Sequence, residues 1–292
     1  MNQPLRKKPE WLKAPAHSGE NFENVRKILK QYGVNTVCDE ACCPNRGECF
    51  NLKTATFMIL GRQCTRNCRF CAVHKGSPEP VDENEPMSVA GAVKALGLKY
   101  VVITSVTRDD LPDGGAAHFA ATVRAIKQQS PDIRVEVLIP DFKGDLSALK
   151  TVADAGPDVV GHNVETVPSL YQKIRPMADY RRSLKVIAGV KEYGGGILSK
   201  TGIMVGVGET QAEIIDVFSD IVRAGCDIVT IGQYLAPSVQ HYPVKEYVHP
   251  DVFAAYKQKA EEMGILYAAS SPLTRSSHLA VQAYEYVQKQ KG

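Results

Sequence analysis

The stretch Cys64-Thr-Arg-Asn-Cys68-Arg-Phe-Cys71 sets three cysteines in a C-x3-C-x2-C spacing, with an aromatic residue directly before the third. The apolar run Thr56-Phe57-Met58-Ile59-Leu60 precedes it and reads as a strand, and Gly61 loosens the turn between them. A short loop with three thiolates can hold three corners of a cubane iron–sulfur cluster. It leaves the fourth iron without a protein ligand, free to bind and activate a small molecule. A zinc site would favour paired C-x2-C units and a fourth ligand, which this loop does not offer locally. A disulfide would need an oxidising compartment.

Composition bounds the rest. The 292 residues, 44% of them hydrophobic, suffice for one sizeable core, either a large α/β domain or a barrel with extensions. A net charge of only +3 implies no polyanion partner, so nucleic-acid binding is not expected. No apolar run approaches the ~20 residues of a membrane span. The start, Met1-Asn-Gln-Pro-Leu-Arg-Lys-Lys-Pro, is charged but lacks the apolar core of a signal peptide. The eight cysteines fall in two clusters plus the lone Cys226. Clustered cysteines without a secretion signal read as metal or redox chemistry in a reducing cytosol. The expectation is a cytoplasmic enzyme.

Along the chain, residues 21–32 have the pattern of a short amphipathic helix ending at Gly33. Cys38-Asp-Glu-Ala-Cys42-Cys43-Pro-Asn-Arg-Gly-Glu-Cys49 follows, in which Cys38, Cys43 and Cys49 form a C-x4-C-x5-C set. Three soft ligands on an irregular loop suit a second iron–sulfur cluster. Taken alone, the set fits a structural zinc knuckle equally well. Cys42 is the spare and is expected to pack inward as a small apolar residue.

From about residue 54, strands alternate with helices. Continuous β-branched runs begin at Tyr100, Ile133, Asp158, Lys200 and Cys226. Helical patterns span 116–129 and 183–193, and Thr210-Gln-Ala-Glu213 reads as a capping box. This alternation implies right-handed βαβ units, about six of them, in a partial (β/α)6 barrel of the α/β class. Function in such barrels gathers at the carboxyl ends of the strands. That rule selects the cysteine loop, Ser105 to Gly115, His162-Asn163-Val-Glu165-Thr166 with Arg175 beyond, and Gly206-Val-Gly-Glu209-Thr210. Each residue also has a structural reading: Asp and Gly as turn formers, Thr210 as a helix cap, His162 as a satisfied core histidine. After Pro250 come a helical stretch, the apolar run from Ile265, and Arg275-Ser276-Ser277-His278. There Ser276 or Ser277 would cap a last helix over 278–289.

The C-x3-C-x2-C loop resembles that of the radical S-adenosylmethionine enzymes. The succession C-x4-C-x5-C then C-x3-C-x2-C is similar to that of the lipoyl synthases. Lys8-Pro-Glu-Trp-Leu-Lys, Ser-Val-x-Arg-Asp-Asp-Leu-x-Asp-Gly-Gly, His-Asn-x-Glu-Thr, Gly-x-Gly-Glu-Thr and Tyr234-Leu-x-Pro-Ser-x-x-His241-x-Pro243 also resemble that family. The resemblance runs from Trp11 to Leu279.

It implies a radical enzyme with two [4Fe-4S] clusters and S-adenosyl-L-methionine. Cys64, Cys68 and Cys71 would hold the cluster that reductively cleaves the sulfonium to a 5′-deoxyadenosyl radical. Ser105, Asn163, Glu165 and Arg175 would contact S-adenosylmethionine, Arg175 matching a carboxylate with its fork. Cys38, Cys43 and Cys49 would hold the auxiliary cluster, with Ser277, the second serine of the family's Arg-Ser-Ser motif, as fourth ligand. Many relatives have tyrosine next, where this chain has His278. The reaction implied is sulfur insertion at C6 and C8 of an octanoyl chain on a carrier lysine, the auxiliary cluster supplying the sulfur. Partners would be octanoylated carrier domains (2-oxoacid dehydrogenase E2 subunits, glycine-cleavage H protein), an electron donor such as ferredoxin or flavodoxin, and an iron–sulfur carrier. Three divisions follow: 1–53 as an N-terminal extension with the auxiliary cysteines, 54–249 as the barrel, and 250–292 as a C-terminal extension, both extensions lying over the barrel mouth. Another radical sulfur-inserting or peptide-modifying enzyme, or a two-cluster electron-transfer or iron-sensing protein, is the competing reading. Cleavage of S-adenosylmethionine on reduction separates these classes.

Overall fold

A computed structural model describes residues 7–13, 19–193 and 195–291. Residues 1–6 of the charged start, and 14–18 within the expected N-terminal extension, lie outside them.

Helix α1 (Glu20–Tyr32) ends on Gly33, whose φ of 65° is the left-handed cap that glycine adopts without strain. Strand β1 (Asn35–Thr36) leads into two short helices, α2 (Val37–Glu40) and α3 (Arg46–Asn51), where the sequence reading expected an irregular loop. The reason is local. Thr36 accepts from the Asp39 amide and caps α2, while Arg46 pairs with Asp39 at 2.8 Å.

The barrel follows. Its strands are β2 (Thr56–Ile59), β5 (Tyr100–Ser105), β6 (Arg134–Leu138), β7 (Val159–Gly161), β8 (Leu198–Val205), β9 (Ile228–Gln233) and β10 (Tyr267–Ser270). The two-residue strands β3 (Gln63–Cys64) and β4 (His74–Lys75) pair only with each other. The helices between are α4 (Glu85–Leu96), α5 (Ala116–Gln129), α6 (Leu146–Ala153), α7 (Tyr171–Ile174), α8 (Tyr180–Tyr193), α9 (Gln211–Arg223) and α10 (Pro250–Glu262). The sheet order is β1-β2-β5-β6-β7-β8-β9-β10, antiparallel at β1–β2 and parallel throughout the rest. The expected six β/α units are present as an open barrel. The apolar run from Ile265 adds β10 as one more parallel strand beside β9.

The strands are buried on both sides, but the two sides differ. Phe57, Val101, Ile103, Val135 and Val137 share a core with α4, α5 and α6. Ile203, Val205, Val229 and Ile231 do the same with α9 and α10. The alternate positions include Thr104, Glu136, Lys200 and Thr230, all buried. The period of two therefore separates an apolar outer layer from a polar lumen. The lumen's base is closed by the last helix, α11 (Ala280–Lys291), whose Ala283 and Val287 pack on Val159, Leu198 and Ile228. The final helix was expected to start at 278 under a serine cap. It starts at Ala280 instead, because Leu279 has a φ of 53° and the Ser276 hydroxyl is held elsewhere.

Above that plug, Lys200 Nζ contacts Glu136 Oε1 at 2.8 Å, and the Tyr100 hydroxyl donates to Glu136 Oε2 at 2.6 Å. Both members of the ion pair are buried. Lys200→Met leaves the carboxylate buried without its cation and should destabilise the fold by about 3–5 kcal/mol. Adding Glu136→Gln in the same chain should recover most of that loss. Urea unfolding of the single and double variants reads both effects, and equal instability would rule the pair out as the cause.

Candidate active site

The cysteine loop leaves β2 through Leu60 and Gly61, with φ of 67° and 89°. Leu60 is held in that left-handed conformation from both sides: its N–H donates to Glu85 at 2.7 Å, and its carbonyl accepts from Arg108 at 3.2 Å. The loop then closes on itself through β3 and β4. Arg66, between the first two cysteines, is buried. It grips Asp109 with Nε and Nη2 at 2.7 and 2.9 Å and reaches Asp141 at 2.6 Å. Asp141 also accepts from Arg182 at 2.7 Å. Burial alone would push the Asp141 carboxyl up, but hydrogen bonding to Arg66 and the nearby cations hold it below the usual carboxylate range. Loop, β5 end, β6 end and α8 are thus joined by one ion network. Within it the amides of Arg66 and Thr107 point at Cys64 Sγ, at 3.5 and 3.3 Å.

The 234–243 segment supports the same loop. His241 Nε2 lies 3.2 Å from the Cys71 carbonyl oxygen, and the Tyr242 amide donates to the Arg69 carbonyl at 2.8 Å. The Tyr234 hydroxyl in turn donates to the Tyr242 carbonyl at 2.7 Å.

Burial pushes the Cys71 thiol up to about 12. It also raises Cys68, where the Arg175 guanidinium works against it. In the other set, burial takes Cys38 to about 12 and Cys49 to about 11. These thiols are therefore protonated until a metal displaces the proton, so cluster assembly here releases protons. Neither set closes on a single-ion position among the described residues. A cubane is a body rather than a point, and its thiolates stand around it.

At the end of β7, Asn163 Nδ2 donates to Glu165 Oε1 at 3.1 Å. Glu165 has a φ of 64°, an uncommon conformation for a residue with a side chain. Arg175 is buried and uses Nη1 on the Asn163 carbonyl at 3.0 Å and the Tyr171 hydroxyl at 3.1 Å. Its Nε has no partner, and neither has Ser105 Oγ, although both atoms are buried. Unsatisfied buried polar atoms cost free energy and call for a partner. Arg175 Nε, close enough to Cys68 to act on its thiol, fits a carboxylate, and the Asn163–Glu165 pair beside it fits hydroxyls.

The two ends of the chain meet over this site. Asn45, between Cys43 and Cys49, donates to the Leu273 carbonyl at 2.8 Å. Cys43 acts electrostatically on the buried Arg275 guanidinium, and His278 Nε2 stands 3.3 Å from Glu48. Ser277 sits between these two contacts, half-buried. The Lys8–Lys13 stretch packs too, with Leu12 buried and Trp11 edge-on to His249 at 5.3 Å.

Several sequence expectations take their structural form. His162 is a satisfied core histidine, with Nδ1 2.9 Å from the Ile139 carbonyl and Nε2 3.1 Å from Ser183. Glu209 turns back on its own loop, accepting from the Gly206 and Val207 amides at 2.6 and 2.9 Å. Thr210 and Glu213 form the capping box. Cys226 is buried against backbone carbonyls in the outer layer. Cys42 corrects the expectation that it packs inward: it is exposed, because its φ of 51° turns it out after α2. Sequence reasoning missed Arg66, Asp141, Arg182 and Ser276. A buried arginine inside the cysteine loop carries no periodic signal, and its partners are far away in sequence.

The sequence model of the Radical SAM superfamily matches residues 58–221, more than half of the chain. The chain therefore belongs to that superfamily of radical enzymes. It is 52% identical to a lipoyl synthase from Alkaliphilus metalliredigens, over 98% of this chain and 99% of that protein. A lipoyl synthase from Caldanaerobacter subterraneus is 55% identical over 94% of this chain and 96% of that one. Within the superfamily, the chain belongs to the lipoyl synthases. Among solved structures, HydG, a maturase of the [FeFe]-hydrogenase, shares the fold with a TM-score of 0.58 at 14% identity, over 92% of this chain and 67% of that one.

Burial and the nearby Arg175 cation push His162 from 6.5 down to about 4. A histidine with a lowered folded value stabilises fully above its unfolded value and loses that contribution as pH falls. Between pH 7 and 5 the loss should be about 2 kcal/mol. The difference in urea stability between the wild type and His162→Gln should shrink by that amount over the same range. A difference independent of pH would contradict the assignment.

Proposed function

We propose that Cys64, Cys68 and Cys71 hold one [4Fe-4S] cluster, and that Cys38, Cys43, Cys49 and Ser277 hold the second. The chain is a lipoyl synthase by family, and its reaction inserts sulfur at C6 and C8 of a protein-bound octanoyl-lysine. When bound, the two clusters and S-adenosyl-L-methionine supply the hydrogen-abstracting radical and the sulfur. The observation that carries the ligand assignment is the seating of residues 273–278 against the auxiliary cysteine segment, through Asn45 and Glu48. That seating supports Ser277 as the ligand that completes the set.

The chain's own groups then have distinct tasks. The free Nε of Arg175 suits the methionine carboxylate, since a guanidinium matches its geometry. The Asn163 amide and the Glu165 carboxylate suit the ribose hydroxyls, and the unpartnered Ser105 hydroxyl suits a further polar group of the same ligand. The plugged lumen and the segment over its mouth keep water from the reacting carbons. As a ligand, Ser277 Oγ would have to lose its proton to bind iron and would regain one on release. Its harder oxygen matches a soft cluster less well than a thiolate does, which suits a cluster that must be dismantled.

In this reading residues 1–53 carry the auxiliary cysteines, 54–249 the radical chemistry, and 250–292 the serine. The macromolecular substrate is a lipoyl carrier domain, such as a 2-oxoacid dehydrogenase E2 subunit or the glycine-cleavage H protein. An electron donor such as ferredoxin or flavodoxin and an iron–sulfur carrier complete the partners. Eight free cysteines suit a reducing compartment, and we place the enzyme in the cytoplasm. Among the described residues, no helix is long and apolar enough to cross a membrane.

Iron and sulfide analysis of anaerobically reconstituted protein tests the ligand sets. About eight irons should fall to about four in a Cys38/Cys43/Cys49→Ala variant, leaving one cubane. An unchanged content would remove the second cluster from that set. Ser277→Cys should keep about eight irons yet form lipoyl-lysine at least tenfold more slowly on an octanoyl-lysine peptide, an effect of about 1.4 kcal/mol or more. Turnover at the wild-type rate would end the case for a labile oxygen ligand.

A further inference from the structure

The segment over the barrel mouth touches the pocket wall through one side chain that neither ligand set uses. Asn163 Nδ2 donates to Ser276 Oγ at 2.8 Å as well as to Glu165 Oε1 at 3.1 Å. Both amide hydrogens are thereby engaged, and the amide has a single orientation. Ser276 directly precedes Ser277. The contact exists because two wall positions lack side chains. A Cβ at Gly202 would stand 2.8 Å from Asn163 Oδ1, and one at Gly232 would collide with the Thr274 carbonyl. Upstream, the segment is fixed by backbone bonds from the Gln233 amide to Pro272 and from the Ser271 amide to Ile231, each 3.2 Å. Downstream, α11 is fixed in the base of the lumen. Between these anchors, the Ser276 hydroxyl is the side-chain link from the segment to the pocket.

We propose that Ser276 is a positioning residue: through Asn163, its hydroxyl couples occupancy of the S-adenosylmethionine pocket to the placement of Ser277. The coupling rests on the reading above, in which Asn163 and Glu165 face that ligand and Ser277 completes the second set. Ser276 fixes the amide that fixes Glu165, so the pocket is ordered before the ligand arrives. A ligand that engages Asn163 or Glu165 holds the same amide and, through it, the segment. Linkage makes the effect reciprocal: what the hydroxyl adds to ligand affinity, the ligand adds to the order of the segment.

The test uses the full chain with both clusters reconstituted, without reductant, and S-adenosylmethionine as the probe. Equilibrium dialysis gives its affinity, and the Mössbauer signature of the oxygen-ligated iron reports on Ser277. In the wild type, the ligand should change that signature. In Ser276→Ala, affinity should fall roughly threefold to tenfold, the range of one hydrogen bond, and the signature should no longer respond. Ser276→Thr keeps the hydroxyl and should restore both. Asn163→Leu removes the amide, and with it the bond to Ser276, and should silence the response in the same way. Wild-type affinity and response in Ser276→Ala would overturn the proposal, as would a response retained in Asn163→Leu or a Ser276→Thr protein that behaves like Ser276→Ala. If Ser277→Ala leaves the signature unchanged, the ligand assignment itself fails. The affinities of Ser276→Ala and Ser276→Thr then still decide whether Ser276 orders the pocket.

Discussion

The buried guanidinium of Arg66 organises the site. Taking a charge out of water costs several kcal/mol unless the protein returns equivalent partners. Here the return is complete on the acidic side. Asp109 meets Arg66 with both oxygens, and Asp141 receives Arg66, Arg182 and the Lys143 amide. Each partner comes from a different part of the fold, so satisfying the charge fixes the parts relative to one another. The cysteine loop has no long secondary structure of its own to do this. Its shape comes from an ion network that is stable only when assembled in full.

The barrel places that network at its mouth by reversing the usual economy of a sheet. The outer face carries the β-branched core and the inner face carries Thr104, Glu136, Lys200 and Thr230. A polar lumen cannot be left open to solvent and also host a radical. The chain resolves this from its own ends. The last helix fills the base with Ala283 and Val287, and the segment before it lies across the wall where Gly232 leaves room. The missing side chain at Gly232 lets the Thr274 backbone approach, and the one at Gly202 leaves room for the Asn163 amide.

Much of this was legible in the sequence, and the failures have physical causes. The strands were visible because β-branched runs are local, and the helix over Ala116–Gln129 because its apolar spacing is. The capping box at Thr210 and the left-handed cap at Gly33 are likewise local chemistry. The cysteine sets were legible as spacings. What spacing does not carry is long-range pairing. Nothing at Arg66 names Asp141, and nothing at Ser276 names Asn163, which lies 113 residues away. Ser276 read as a helix cap because a serine before a helix usually is one. Tertiary contact took its hydroxyl instead. Cys42, the spare of its set, read as packed inward because a free cysteine behaves as a small apolar residue, and a backbone torsion put it outside.

The two cysteine sets differ in how their surroundings hold them, and the difference suits the tasks proposed for them. The loop with Cys64 is locked by a multivalent ion network whose members cannot be withdrawn singly without stranding a buried charge. The segment with Ser277 is held by separate neutral hydrogen bonds, from Asn45, Asn163 and the β9 backbone. Bonds of that kind contribute about 1 kcal/mol each and can be exchanged for water or ligand one at a time. A cluster that serves every turnover needs the first kind of holding. Under the proposed assignment of Ser277, a cluster that gives up its sulfur needs a ligand on the second, close enough to complete the site at rest and weakly enough held to leave.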